Sequence, residues 1–194
     1  MQKKVLLLLA DGFEEVEALT PADYLRRAGI EVTLVSVGPN PAVRGAHGIQ
    51  VMSDVTFTEL AGLGQGGAKA WDGILLPGGM PGAANIAAST PACTLIREIA
   101  AAGKVVAAIC ASPAVVLAPL GLLEGRRFTC FPGTEDKVRG GQWSKDRVVT
   151  DGSLITSRAA GTAGEWAAAI AAKFLNEGEA KKLAQQVLLF ESPG

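Results

Sequence analysis

The chain of 194 residues contains a single histidine, His47, and only three cysteines, Cys93, Cys110 and Cys130. Three widely spaced thiols suit neither a zinc cluster nor a disulfide framework, and a reducing cytoplasm is the expected compartment. Cysteine peptidases and glutamine amidotransferases place a histidine base next to the thiol. Here His47 sits in the glycine-rich turn Val43–Gly48, expected to lie apart from any strand tip, and Cys110 is followed by Ala111. A histidine-dependent thiol hydrolase would need a second subunit to bring His47 across. Basic surplus is absent as well: 18 Lys and Arg stand against 19 Asp and Glu, for a net charge of −1. That balance, with an isoelectric point near 5.9, argues against a nucleic-acid binder. No apolar stretch reaches the ~18 residues that cross a membrane. Met-Gln-Lys-Lys before Val5–Ala10 imitates a signal peptide, but the apolar run is short and Asp11, Glu14, Glu15 and Glu17 come next without a cleavage site. No internal repeat, low-complexity block, nucleotide motif or metal motif occurs; neither cofactor nor metal is expected.

What remains is apolar and regularly patterned. Hydrophobic residues make up 48% of the chain, enough for one domain spanning residues 1–194 with a substantial core. Lys4–Ala10, Asp72–Pro77 and Lys104–Ile109 are continuous apolar runs after a charged first residue, as strands of a parallel sheet covered on both faces must be. Ile30–Val37 reads as a further strand, and Phe128–Phe131, Arg147–Thr150 and Leu154–Ser157 as short ones. The last two flank Asp151-Gly152, a hairpin turn. Amphipathic helices are predicted over Glu15–Ala28, ending at Gly29, over Thr162–Leu175, and over Glu179–Phe190; Gly62–Lys69 reads as a surface loop. The alternation predicts an α/β fold: a flavodoxin-like, doubly wound parallel sheet with helices on both faces and a late β-hairpin.

In Lys104–Pro113 a strand stops at Cys110, and Ser112 and Pro113 come after it as N-cap and first helical residue. A cysteine on such a corner matches a nucleophile elbow, although a buried structural thiol is the plain alternative. In open α/β sheets, sites form beyond the carboxyl ends of the strands. Three neighbouring tips converge here: Asp11–Glu17 with its carboxylates, Pro77–Gly82 with its glycine turn, and Cys110. Gly78 and Gly79, with the N–H of Ala111, can form an oxyanion hole, or simply a tight turn. Lowering a cysteine pKa from ~8.5 to ~5.5 takes roughly 4 kcal/mol, of which a helix end supplies at most ~2. A protonated glutamate donating to the sulfur can supply the rest, and Glu14, Glu15 and Glu17 are all placed to do so. Cys93, at a helix start, and Cys130, in mid-strand, are assigned no catalytic role.

Taken in order, Ala10–Glu17, Leu25-Arg-Arg-Ala-Gly29, Leu76-Pro-Gly-Gly79, Ala107–Ala111, Asp136-Lys137, Asp151-Gly152 and Thr156-Ser-Arg158 resemble the ThiJ/PfpI superfamily, in its parkinsonism-associated deglycase branch. The resemblance extends from Lys4 to Val187. It implies a flavodoxin-like fold of the class I glutamine amidotransferase kind, a homodimer, and Cys110 as a peroxide-sensitive nucleophile. It further implies Glu17 as the protonated partner, and Gly79 and Ala111 as donors around the sulfur. The activity implied is cofactor-free: a glyoxalase converting methylglyoxal to lactate, with removal of early dicarbonyl adducts from proteins. Small aldehydes and glycated proteins are the implied partners. Peroxide sensing or holding-chaperone behaviour through oxidation of Cys110 is the alternative function. Arg27, His47 and Phe131 are candidates for a pocket contribution from within the chain or from a partner subunit. Two positions depart from the pattern. Phe131 stands where the glyoxalase-active relative has histidine before a proline, and Ala159-Ala160 replaces the Gly-Pro of a Ser-Arg-Gly-Pro-Gly segment. Ala111 in place of a histidine argues against proteolysis.

Overall fold

The computed structural model describes residues 2–189. In chain order the elements are β1 (Lys4–Leu9), α1 (Glu15–Arg27), β2 (Glu31–Ser36), β3 (Ala42–Arg44), β4 (Gln50–Met52), β5 (Val55–Thr56), α2 (Phe57–Gly62), β6 (Gly73–Leu76), α3 (Gly82–Ala88) and α4 (Thr90–Ala101). They continue with β7 (Val105–Ile109), β8 (Arg127–Phe128), β9 (Gln142–Trp143), β10 (Val148–Asp151), β11 (Leu154–Ser157), α5 (Ala163–Phe174) and α6 (Glu177–Gln186). Seven strands form one sheet in the order β10-β11-β7-β6-β1-β2-β5. Every pairing in it is parallel except β10 with β11, the predicted late hairpin.

β1 shows how one apolar run builds two cores. Side chains alternate across a strand, so Leu6 and Leu8 join Ile74, Leu76, Ile96 and Ile99 on the α3–α4 side. Val5, Leu7 and Leu9 join Ala18, Leu25, Trp166 and Ile170 on the α1–α5 side. Leu6 to Leu9 are fully buried, each worth about 2 kcal/mol. With β2 on one side and β6 on the other, β1 has no free edge, and its tip opens among its neighbours' tips.

Several expectations need correction. Phe128–Phe131 is not one strand: only Arg127–Phe128 pairs, with β9 in a separate two-stranded ladder. Cys130 therefore lies in irregular chain, although it is fully buried. The final helix runs Glu177–Gln186 because Asn176 caps it, its side-chain oxygen accepting from the Glu179 N–H at 3.0 Å. Phe190, the expected end of that helix, lies outside the described residues. The turn holding His47 joins β3 and β4 into an antiparallel hairpin, two strands that the sequence pattern does not announce.

Candidate active site

β7, β6 and β1 are successive neighbours in the sheet, so the three tips singled out in sequence meet. Cys110 has a φ of +63°, the left-handed region, at a cost of order 1–2 kcal/mol for a residue with a Cβ. Its main chain is held on both sides. The Cys110 N–H donates to the Ser157 carbonyl at 3.0 Å, and its carbonyl accepts from the Phe131 N–H at 2.8 Å. Gly78 is glycine for lack of room: a Cβ there would lie 2.7 Å from both Cys110 Cβ and Glu17 Oε2. Gly79 takes a φ of +82°, open to glycine without strain.

Ser112 does not cap a helix. It is itself in helical conformation without a capping bond, and its buried hydroxyl donates to the Pro77 carbonyl at 2.5 Å. The chain then makes one five-residue π-helical turn, Pro113–Leu117, with the Val115 N–H donating to the Ala111 carbonyl at 2.9 Å, so the helical segment behind the sulfur is short and wound wider than an α-helix. Ser112 instead ties the β7 tip to the β6 tip.

The first turn of α1 delivers Glu17, only 1% exposed. Its Oε2 accepts from the Gly78 N–H at 2.8 Å, so Gly78 serves the carboxyl rather than the sulfur, unlike the expected role. The Ala160 N–H also faces Glu17, and the Cys110 thiol stands beside it across Gly78. Burial pushes the Glu17 carboxyl up to about 7, against the Gly78 bond and with help from the charge of Glu14. Burial, then the Glu17 charge and its hydrogen bond, push the Cys110 thiol up to about 12, while the Gly79 and Ala111 N–H groups pull it down. With Glu17 ionised, the thiol is thus raised, opposite to the lowering expected from sequence. Moving the proton to Glu17 removes that charge and reverses the hydrogen bond. The thiolate then faces the Gly79 N–H, the Ala111 N–H and the Glu17 O–H. The two groups titrate as one unit sharing a proton.

The remaining candidates divide. Phe131 lies beside the elbow through its N–H and is 45% exposed. His47 does not lie apart from the strand tips, contrary to expectation, because the β3–β4 hairpin folds back onto the β1 tip. The Gly12 N–H donates to the Arg44 carbonyl at 2.8 Å, and the Ala46 N–H to the Phe13 carbonyl at 2.8 Å. His47 Nδ1 thereby comes 2.9 Å from Glu15 Oε2 and 3.3 Å from Glu14 Oε2. Arg27 does not reach the site: it pairs with Asp23 on the exposed face of α1, about 15 Å along the helix from Glu17. Cys93 is half-buried, its thiol donating to the Ala87 carbonyl at 3.3 Å. Sequence reasoning misses the Ser112–Pro77 tie and the Ala160 donor, although Ala159-Ala160 stands out as a departure from the family pattern. Among the described residues no helix is long and apolar enough to cross a membrane.

Residues 3–173 match the DJ-1/PfpI family. Protein DJ-1 homolog A of Arabidopsis thaliana is 38% identical over 186 residues, covering 96% of this chain and 46% of the relative. The chain thus spans about half the length of that plant protein. A deglycase of Pyrococcus horikoshii is 33% identical over 157 residues, covering 80% of this chain and 89% of the relative. Among solved structures, oxidized Toxoplasma gondii DJ-1 superposes with a TM-score of 0.90 at 36% identity, covering 96% of this chain and 98% of that one.

Proposed function

The chain belongs to the DJ-1/PfpI family, and on that footing we propose that it is a cofactor-free, cysteine-dependent enzyme of carbonyl-stress defence, acting on α-oxoaldehydes such as methylglyoxal and on their early protein adducts. One observation carries the reading: a left-handed Cys110 whose sulfur is surrounded by the Glu17 carboxyl and the N–H groups of Gly79 and Ala111. The deglycase name of the Pyrococcus horikoshii relative supports a glycated side chain as one substrate.

The chemistry rests on the shared proton. Glu17 takes it from the thiol, and the sulfur attacks the aldehyde carbon. Glu17 then returns the proton to the aldehyde oxygen, completing a hemithioacetal. As a carboxylate again, Glu17 removes the hydrogen from that carbon as a proton and delivers it to the adjacent carbonyl carbon, while the hemithioacetal hydroxyl's proton passes to that carbonyl's oxygen, leaving an α-hydroxy thioester. Water cleaves the C–S bond, releasing lactate and the thiol. Methylglyoxal and water go in and lactate comes out, with no external oxidant or reductant.

Two further elements complete the reading. A homodimer is in keeping with the exposed apolar side chains of Val16 and Leu19 on α1 and Ile49 and Met52 around the hairpin. Phe131 in place of an imidazole favours a second use of the same thiol, in which the donors around the sulfur hold the oxygens of a sulfinate formed by peroxide.

Lactate formation from methylglyoxal by the wild type and by Cys110→Ala tests the enzyme. Turnover that falls roughly 1,000-fold or more in the variant is the expected result. A folded wild type without turnover would leave peroxide sensing, read as +32 Da on the Cys110 peptide ahead of those of Cys93 and Cys130.

A further inference from the structure

The hairpin that docks on the β1 tip creates a second constellation. His47 Nδ1 stands 2.9 Å from Glu15 Oε2 and 3.3 Å from Glu14 Oε2, and all three ligand atoms lie within 4.8 Å of one another. Ligand atoms about 2.0–2.2 Å from a first-row divalent ion stand about 2.8–3.5 Å apart in octahedral or tetrahedral sites. Both separations from the imidazole fall in that range. We propose that Glu14, Glu15 and His47 form a binding site for a divalent transition ion of the zinc class, separate from the Cys110 thiol.

The surroundings fit such a site. Glu15 Oε1 is occupied by the backbone N–H groups of His47 at 2.8 Å and Ile49 at 3.3 Å. The carboxylate is therefore fixed in direction, with Oε2 turned to the imidazole, as an outer shell fixes a metal ligand. Gly45 makes the space: a Cβ there would overlap Glu15 Oε1, Cδ and Cγ. In the single chain the His47 side chain is 69% exposed while that of Glu15 is 4% exposed, so water can fill an ion's remaining positions there. Two carboxylates balance a 2+ charge. The imidazole favours zinc, nickel or copper over magnesium or calcium, which prefer an all-oxygen shell. On binding, the ion takes the place of the proton between His47 Nδ1 and the carboxylates.

The test uses the full chain carrying Cys110→Ala, so that the reactive thiol contributes nothing to metal uptake. Zinc titrated against a chromophoric chelator should fill one site per chain, tighter than about 10 μM. His47→Ala in the same background should weaken it at least roughly tenfold. His47 is exposed, so folding should survive; His47→Gln serves as a second variant, and circular dichroism checks both. Copper(II) in place of zinc should show magnetic-resonance splitting from one imidazole nitrogen, lost with His47. Zinc uptake unchanged by loss of His47, or no site tighter than about 100 μM, overturns the proposal. Either result is independent of whether the protein turns over methylglyoxal.

Discussion

Glu15 and Glu17 stand two residues apart in the first turn of α1, and both are covered, at 3% and 1% exposure. Their acidities nevertheless move in opposite directions. For Glu15, burial pushes up, but the His47 ring and the N–H groups of His47 and Ile49 outweigh it, and the carboxyl is lowered. For Glu17, burial dominates donors that include the Gly78 and Ala160 N–H groups, and the carboxyl is raised to about 7. What differs is depth: Glu15 lies just under the surface beside the exposed His47 ring, whose hydrogen bond favours the carboxylate, whereas Glu17 lies deep among the strand tips, where burial and the charge of Glu14 outweigh the Gly78, Cys110 and Ala160 donors. The same residue type, one helical turn and two depths of cover thus give a carboxyl that is easier to ionise than usual and one that gains and loses its proton near neutrality.

Exchanging each carboxyl for an amide tests this contrast most severely. Glu17→Gln should lower lactate formation roughly 100- to 1,000-fold, the usual worth of a positioned acid–base group, while Glu15→Gln should change it less than tenfold. Equal losses would mean that both carboxyls serve the chemistry.

Stability against pH, read by urea unfolding, should be the next largest effect. Glu17 has a folded pKa above its ordinary 4.5, so its contribution is complete below pH 4.5 and is lost as pH rises to about 7. The expected loss is roughly 3 kcal/mol, absent in Glu17→Gln. Glu15, lowered in the fold, acts with the opposite sign: its contribution is present above pH 4.5 and disappears as pH falls through its depressed value. A wild type equally stable from pH 5 to 8 would show that Glu17 is not raised.

Ser112→Ala should have the smallest effect. It removes a buried hydroxyl and leaves the Pro77 carbonyl without that donor, costing about 1–2 kcal/mol. Its effect on turnover should be smaller than that of Glu17→Gln. A larger one would mean that the tie between the β6 and β7 tips positions the sulfur.

The sheet was legible in sequence because its strands are apolar on both faces, a pattern that few other arrangements satisfy. Leu6 to Leu9, Ile74 to Leu76 and Val105 to Ile109 all fall in it. The corner at Cys110 was legible too, since an apolar strand ending at Cys-Ala-Ser-Pro has to turn. The interior of that corner was hidden. Ser112 is a common capping residue, and only the distant Pro77 carbonyl makes it a bridge. Residue pattern alone could not separate Glu17 from Glu14 and Glu15, because the choice depends on Gly78, 61 residues away. The place of His47 was hidden for the same reason: short β3 and β4 strands carry little hydrophobic period, and where their turn docks is decided by the main chain of Gly12 and Phe13.

The donor at residue 160 has a genetic side. Glu17 is reached there by an N–H that belongs to the polypeptide itself, so a codon change at that position leaves the group in place unless it specifies proline, which has no N–H. The superfamily pattern resembled by this chain carries proline at that place. Drift between alanine and proline at one codon therefore adds or removes an N–H beside a carboxyl in a different helix, a small pull on the acidity of the site made without any change at Cys110 or Glu17.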